Sequence, residues 1–204
     1  MGKITAVKWD KKSKSYLIMA GQEVLAEILD DTFLAFSELQ EGYEVNAKLI
    51  NRINSFDEKI RAGREAMRYI LRGYRTEKEV RDKLKKSAYT LSAAESAISQ
   101  CKQNGYIDDE KYVRQYIERF DGARGAHRMK FELKQKGIDE SLLKDIEDGY
   151  NGALEQARRF YAHKSDDVKF KEKFYRHMAA RGFSYETIQA VYREVRKDAD
   201  VTDD

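Results

Sequence analysis

Cysteine and histidine are sparse in this 204-residue chain, and most residue arrangements that catalyse reactions or bind metals are missing from its sequence. The only cysteine, Cys101, lies on an apolar helical stripe, which indicates a packed thiol rather than a nucleophile. The histidines are far apart and lack the i, i+4 spacing of a helical metal site. The Gly122–Gly125 segment has neither the spacing of a phosphate-binding loop nor a preceding strand. We therefore predict no catalytic site, no metal site and no cofactor.

A cluster of carboxylates, Asp108, Asp109 and Glu110, is the exception that must be considered. Clustered carboxylates can bind Mg²⁺ for phosphodiester cleavage, so a Mg²⁺-dependent nuclease is an open alternative. The cluster follows Gly105–Ile107 and precedes an apolar-periodic run, which is where a helix begins. Acidic side chains at that position accept hydrogen bonds from free backbone amides, and their negative charge interacts favourably with the positive end of the helix dipole. The position favours a helix cap.

Basic side chains are concentrated in the middle of the chain. Residues 62–136 carry 18 Lys and Arg against 11 Asp and Glu, whereas the whole chain has a net charge of only +3. Arginines recur every three or four residues from Arg64, which predicts that they share one helix face. For any single residue, a solvated helix face is the ordinary alternative. The candidates for binding a partner are Arg68, Arg72, Arg75, Arg81, Lys85, Arg124, Arg128 and Lys134.

The elements that must position these side chains are mainly helices. The chain has no proline, where average usage would give about ten, and this favours helices joined by short turns. The beginning differs, because Lys3–Trp9 and Ser15–Ala20 predict a hairpin and Val24–Leu29 a third strand. Asp30 or Asp31 is then expected to cap a short helix through Leu39.

From about residue 46 the apolar period is helical, and Met67, Ile70, Leu71 and Tyr74 are predicted to share a face. Thr76–Glu79 and Ser92–Glu95 both fit the capping-box pattern at a helix start. A further pattern occurs in three places, where a helix ends, turns at a small residue and is followed by a large apolar side chain. These segments are Leu84–Tyr89, Leu133–Ile138 and Met178–Phe183, with Ala88 where the other two have glycine.

These patterns predict a mainly α fold with three tandem three-helix repeats forming an elongated body, after a small N-terminal head that contains a β-hairpin. The predicted divisions are a head at 1–61, repeats at 62–109, 110–150 and 151–197, and an acidic tail at 198–204.

Four motifs in order resemble the RecX family, the regulators of the bacterial recombinase RecA. The motifs are Ala66-x-x-Tyr69-x-Leu71 continuing to Arg75-Thr76-x-x-Glu79-Val80-x-x-x-Leu84; Asn104–Tyr112; Arg119 with Gly125 and Leu133-x-x-Lys136-Gly137-Ile138; and Arg181–Ser184. The resemblance covers residues 62–195, and the head is similar to the extended N-terminus of some members. Ala88 departs from the glycine that is usual in the family.

The resemblance implies a non-enzymatic protein that binds RecA and lies along the groove of the RecA–DNA filament. No run approaches the ~18 apolar residues of a membrane span, so we expect a cytoplasmic protein, and we expect it to be a monomer. It further implies that the protein modulates recombinase activity, usually by inhibition, in recombination and DNA repair. Weak direct contact with DNA is compatible with this role. A stand-alone DNA-binding helical protein is the alternative from another class, and its binding to naked DNA should be tight and strongly salt-dependent.

Overall fold

The computed structural model describes residues 2–162 and 169–202, and the chain divides into two compact units, Met1–Ile107 and Asp108–Asp204. The first unit begins with two small antiparallel sheets. Its strands are β1 (Gly2–Lys3), β2 (Ala6–Asp10), β3 (Ser15–Ala20), β4 (Glu23–Ile28) and β5 (Glu44–Val45). β2, β3 and β4 form a three-stranded meander, which confirms the predicted hairpin with its third strand, while β1 pairs with β5.

The short helix after the meander, α1 (Asp30–Ala35), is capped differently from the prediction. Neither Asp30 nor Asp31 caps it, and the helix ends well before Leu39. Its N-cap residue is Leu29, whose amide donates to Oδ1 of the buried Asp57 at 2.6 Å. The Thr32 hydroxyl donates to the same oxygen at 2.7 Å. A carboxylate from a later helix therefore holds the start of α1.

Three further helices complete the first unit: α2 (Ala47–Ile70), α3 (Glu77–Lys86) and α4 (Leu91–Gln103). α2 runs without interruption through the predicted division between residues 61 and 62. Because α2 ends at Ile70, the predicted apolar face ends there too, and Leu71 and Tyr74 are 78% and 61% exposed. Met67 and Ile70 do pack against the unit's helical core, which contains Ala62 and Ala66 of α2 with Val80 and Leu84 of α3.

The two predicted capping boxes had different outcomes. Thr76 Oγ1 accepts from the Glu79 amide and the Glu79 carboxylate accepts from the Thr76 amide, which confirms the first box. The second was placed wrongly, because α4 begins at Leu91 and its N-cap is Thr90. Thr90 also donates its amide and hydroxyl to Glu58 of α2, at 2.7 and 2.8 Å. The Glu58 carboxylate, which is distant in sequence, thus stabilises Thr90 rather than Ser92 as the N-cap residue of α4.

All the regular secondary structure that the structure describes in the second unit is helical. Its elements are α5 (Asp109–Phe120), α6 (Ala126–Gln135), a 3-10 helix (Glu140–Leu143), α7 (Tyr150–Tyr161), α8 (Phe170–Ala180) and α9 (Tyr185–Thr202). One core surrounds Met129 and Leu133, and the other surrounds Phe174, Met178 and Val191. α9 extends through most of the predicted acidic tail, and residues 203 and 204 lie outside the described ranges.

Close backbone contacts join the two cores of the second unit. A Cβ atom on Gly125 would lie 2.2 Å from the Gly182 backbone, and one on Gly122 would lie 2.4 Å from Cα of Gly152. The Gly125 amide donates to the Arg181 carbonyl at 2.8 Å across the same contact. Glycine is required at these positions because no side chain fits between the two backbones.

The three turns that the sequence pattern aligned share one backbone conformation. Ala88, Gly137 and Gly182 have φ angles of +61°, +81° and +86°, all in the left-handed region. An L-residue other than glycine is disfavoured there by its Cβ atom, by about 1–2 kcal/mol. Ala88 therefore adopts the strained form of the turn that glycine adopts in the other two places.

Candidate functional site

Three basic side chains of the first unit gather around one carboxylate. Glu65 of α2 forms ion pairs with Arg68 at 2.7 Å and with Lys83 of α3 at 2.8 Å. The hydrogen bond from Lys83 lowers the pKa of Glu65, and the charges of Arg68 and Arg72 act in the same direction. We call Arg68, Arg72 and Lys83 the α2–α3 basic cluster. Its positive charge exceeds the single negative charge at its centre.

The predicted arginine face of α2 is shorter than the spacing indicated. α2 ends at Ile70, so Arg72 lies in the turn that follows and Arg75 lies in the connection to α3. The Arg75 guanidinium sits 4.6 Å from the ring centre of Tyr69, and its Nε is buried without a hydrogen-bond partner. Arg64, which began the series, instead binds Asp30 and Asp31 of the head at 3.1 and 2.7 Å.

Arg81 and Lys85 of α3 have different surroundings. Arg81 binds Glu77 at 2.7 Å and also binds Glu95 of α4, so it links the two helices. A hydrogen bond from Lys102 lowers the pKa of Glu77, with Arg81 contributing. Lys85 is exposed and forms no ion pair with any residue that the structure describes. Lys85 is therefore the more accessible cation of the two.

Arg124 of the second unit is bound by side chains of α5 and α6. Its guanidinium donates to the Tyr116 hydroxyl at 2.6 Å, binds Glu132, and lies 3.7 Å from the ring centre of Phe120. Desolvation and the hydrogen bond to Glu132 raise the pKa of Tyr116 to about 12, so its hydroxyl stays protonated. The Arg124 side chain is only 25% exposed. This geometry joins α5 to α6 and leaves little of Arg124 for a partner.

Arg128 and Lys134, both on α6, are more accessible. Arg128 Nε lies 3.0 Å from Glu132, with the side chain 45% exposed, and Lys134 binds Glu140 with its side chain 65% exposed. Five of the eight predicted residues thus belong to the first unit and three to the second. Lys83 was missing from the prediction, although its place near Lys85 and Lys86 in a basic run was a usable signal.

The carboxylate cluster at the start of α5 forms a helix cap. Asp108 Oδ1 accepts from the Lys111 amide at 2.8 Å, and Glu110 pairs with Arg114 at 3.7 Å. Within residues 2–162 and 169–202, no group of three His, Cys, Asp or Glu side chains is arranged to hold a metal ion. Burial raises the pKa of the Cys101 thiol, which disfavours its nucleophilic thiolate form. The same ranges contain no helix long and apolar enough to cross a membrane.

The fold and these surfaces define a helical repeat protein with cationic helix faces and a small β-containing head. The model of the first three-helix domain of RecX matches residues 64–101, and the model of the third matches residues 147–192. Both matches support the RecX family for this chain. This finding confirms the resemblance and the mainly α repeat fold.

Similar proteins cover almost the whole chain. "Regulatory protein RecX" of Clostridium perfringens strain 13 is 27% identical over 96% of this chain and 97% of its own length. The protein of the same name from Clostridium beijerinckii is 28% identical over 96% of each chain. That of Lactobacillus delbrueckii subsp. bulgaricus is 29% identical over 98% of this chain and 77% of its own.

Two solved structures share the fold. A crystal structure of regulatory protein RecX has a TM-score of 0.72 and 21% identity, and it covers 95% of this chain and all of its own. The crystal structure of RecX from Lactobacillus salivarius has a TM-score of 0.62 and 22% identity, over 69% of this chain and 98% of its own. At these identities the likeness shows the fold alone.

Proposed function

We propose that this protein binds RecA and the RecA–DNA filament, and that it inhibits recombinase activity in recombination and DNA repair. The observation that carries the proposal is the match of two regions to RecX three-helix domains, in a chain whose relatives are named regulatory proteins. The proposed mode of action is binding without catalysis, as a monomer in the cytoplasm, where RecA filaments form. No cofactor takes part in it.

The charge distribution supports a filament as the partner. A protein–DNA filament offers carboxylates and phosphates together, and a guanidinium can hold either through two hydrogen bonds. Arg72 and Lys85 are exposed and make no ion pair with the described residues. Arg68, Arg128 and Lys134 are held only by exposed pairs, and such pairs contribute about 0–1 kcal/mol each, so they can exchange partners easily. Arg75 and Arg81 of the first unit and Arg124 of the second complete the proposed set, with a smaller contribution because each already contacts a neighbouring side chain.

The test is inhibition of RecA-catalysed DNA strand exchange by the wild type and by charge-reversal variants. Arg72→Glu with Lys85→Glu should raise the half-inhibitory concentration by about tenfold, because both residues are free to bind the filament. Lys11→Glu with Lys48→Glu is the matched control, since both lysines are exposed and lie outside the α2–α3 basic cluster. Equal inhibition by both double variants would contradict the proposed surface. Failure of the wild type to inhibit would contradict the proposed function.

A further inference from the structure

A groove with a volume of about 1130 Å³ lies in the first unit. It is formed by one side of α2, by α4, and by head residues Ser13, Lys14, Leu29 and Asp31. A single small-molecule site usually has about 300–1,000 Å³. This groove is therefore large enough to hold several side chains of a peptide.

Aliphatic side chains, which we call the floor, and exposed aromatic rings both line the groove. Leu29, Ile60 and Met67 contribute apolar surface. Leu29 is buried, and Ile60 and Met67 are half-buried. Phe56 and Tyr106 also line it, with 39% and 52% of their surfaces exposed. Exposed rings beside an aliphatic floor favour the insertion of apolar side chains from a partner.

The charged residues that line the groove are predominantly basic. They are Lys14, Lys59, Arg61, Arg64 and Arg68, against Asp31 alone on the acidic side. Lys14 and Lys59 form no ion pair with any residue in the described ranges. Arg61 binds Asp57, Arg64 binds Asp30 and Asp31, and Arg68 binds Glu65. The two lysines are thus the cations available to a ligand.

We infer that this groove binds an acidic amphipathic peptide segment of a protein partner. The apolar side chains of the segment occupy the aliphatic floor, and its carboxylates pair with Lys14 and Lys59. Three arginines of the groove already bind carboxylates, which shows that the local geometry suits this group. A nucleic acid fits less well, because stacked bases and phosphates make little use of an aliphatic floor beside Asp31.

The direct test is the fluorescence anisotropy of labelled synthetic peptides of about 16 residues, which span about four helical turns. One peptide carries Glu on its polar face and Leu and Phe at i, i+4 and i+7. A second has Lys in place of Glu, and a third has Gln in place of the apolar residues. The acidic amphipathic peptide should bind the full-length protein about tenfold more tightly than either of the others. Equal binding of all three would refute the inference.

Variants locate the binding. Lys14→Glu with Lys59→Glu should weaken binding of the acidic amphipathic peptide by about tenfold. Lys11→Glu with Lys48→Glu makes the same change in charge on exposed lysines outside the groove, and it should leave the affinity within about twofold. Equal loss in both variants would show that only long-range charge acts on the peptide, and it would overturn the inference. Displacement of the peptide by a polythymidine oligonucleotide that itself binds more tightly would assign the groove to nucleic acid and overturn the inference.

The inference rests on the proposed function only for the source of the segment, which is then the recombinase. Strand-exchange inhibition by the same variants separates the two ideas. Peptide binding that depends on Lys14 and Lys59 supports the groove even if the wild type does not inhibit RecA, and in that case the proposed function alone fails. Absence of peptide binding by a wild type that does inhibit RecA refutes the groove alone.

Discussion

Replacing Asp148 by alanine removes a carboxylate that serves two helices of the second unit. Asp148 accepts from the Ala126 amide at 2.6 Å and from the Ser184 amide at 2.8 Å. α6 has no side-chain cap of its own, because Gly125 is its N-cap residue. Asp148 therefore supplies the missing cap to α6 and also holds Ser184, the residue immediately before α9. The two hydrogen bonds connect Asp148 to residues that lie 22 and 36 positions from it along the chain.

The expected loss follows from these two bonds. Removing an N-cap acceptor costs about 0.5–2 kcal/mol at each helix, and Asp148 is half-buried, so water partly replaces the carboxylate. We expect Asp148→Ala to lower the free energy of unfolding by about 2–3 kcal/mol. Asp148→Asn keeps one acceptor oxygen and should lose about 1 kcal/mol. Asp145→Ala is the control, because Asp145 is exposed, and its effect should stay within about 0.5 kcal/mol.

The assay is urea denaturation followed by far-ultraviolet circular dichroism, and pH adds a second test. Partial burial raises the pKa of Asp148, but the hydrogen bonds from the Ala126 and Ser184 amides outweigh this, so the pKa lies below its ordinary value. A carboxyl group of this kind stabilises the fold at neutral pH, and the contribution is lost as pH falls through the folded-state pKa. The difference between wild type and Asp148→Asn should therefore shrink below about pH 4. Equal stability of Asp148→Ala and Asp145→Ala at pH 7 would refute the double-cap reasoning.

Three substitutions test other parts of the fold by the same denaturation assay. Ala88→Gly should raise the free energy of unfolding by about 0.5–1 kcal/mol, because glycine relieves the left-handed strain, and a loss would contradict that strain. Leu133→Ala should lower it by about 2–5 kcal/mol, since Leu133 is fully buried, and a neutral result would contradict its core position. Asp57→Ala should lower it by about 2–4 kcal/mol by leaving the Leu29 amide and Thr32 hydroxyl unpaired; Asp57→Asn should recover part of this.

Features set by neighbouring residues could be predicted from the sequence. The Thr76–Glu79 capping box spans a single helical turn, and the spacing of Val80 and Leu84 is enough to place both in a core. Ala88 was also predictable as a strained turn, because aligned segments have glycine at that position. Short-range hydrogen bonds and helical periodicity determine these features, and both are visible in a single sequence.

Features that depend on distant residues could not be predicted in the same way. The carboxylate that holds the start of α1 belongs to Asp57, 28 residues after Leu29, so Asp30 and Asp31 were the wrong choice. Arg124 has the spacing of a surface cation, and only the fold shows that Tyr116 and Glu132 surround it. The basic groove is likewise invisible locally, because head, α2 and α4 contribute to it together.

The most direct test of the proposed function is co-sedimentation of the full-length protein with RecA filaments on single-stranded DNA. Parallel samples contain the same DNA without RecA, and each mixture is measured at about 50 and 200 mM salt, a range over which binding to phosphates alone weakens steeply. The proposed function predicts that the protein pellets with the filament at both salt concentrations and does not pellet with naked DNA at the higher one. Equal pelleting with naked DNA, or no pelleting with the filament, would contradict it.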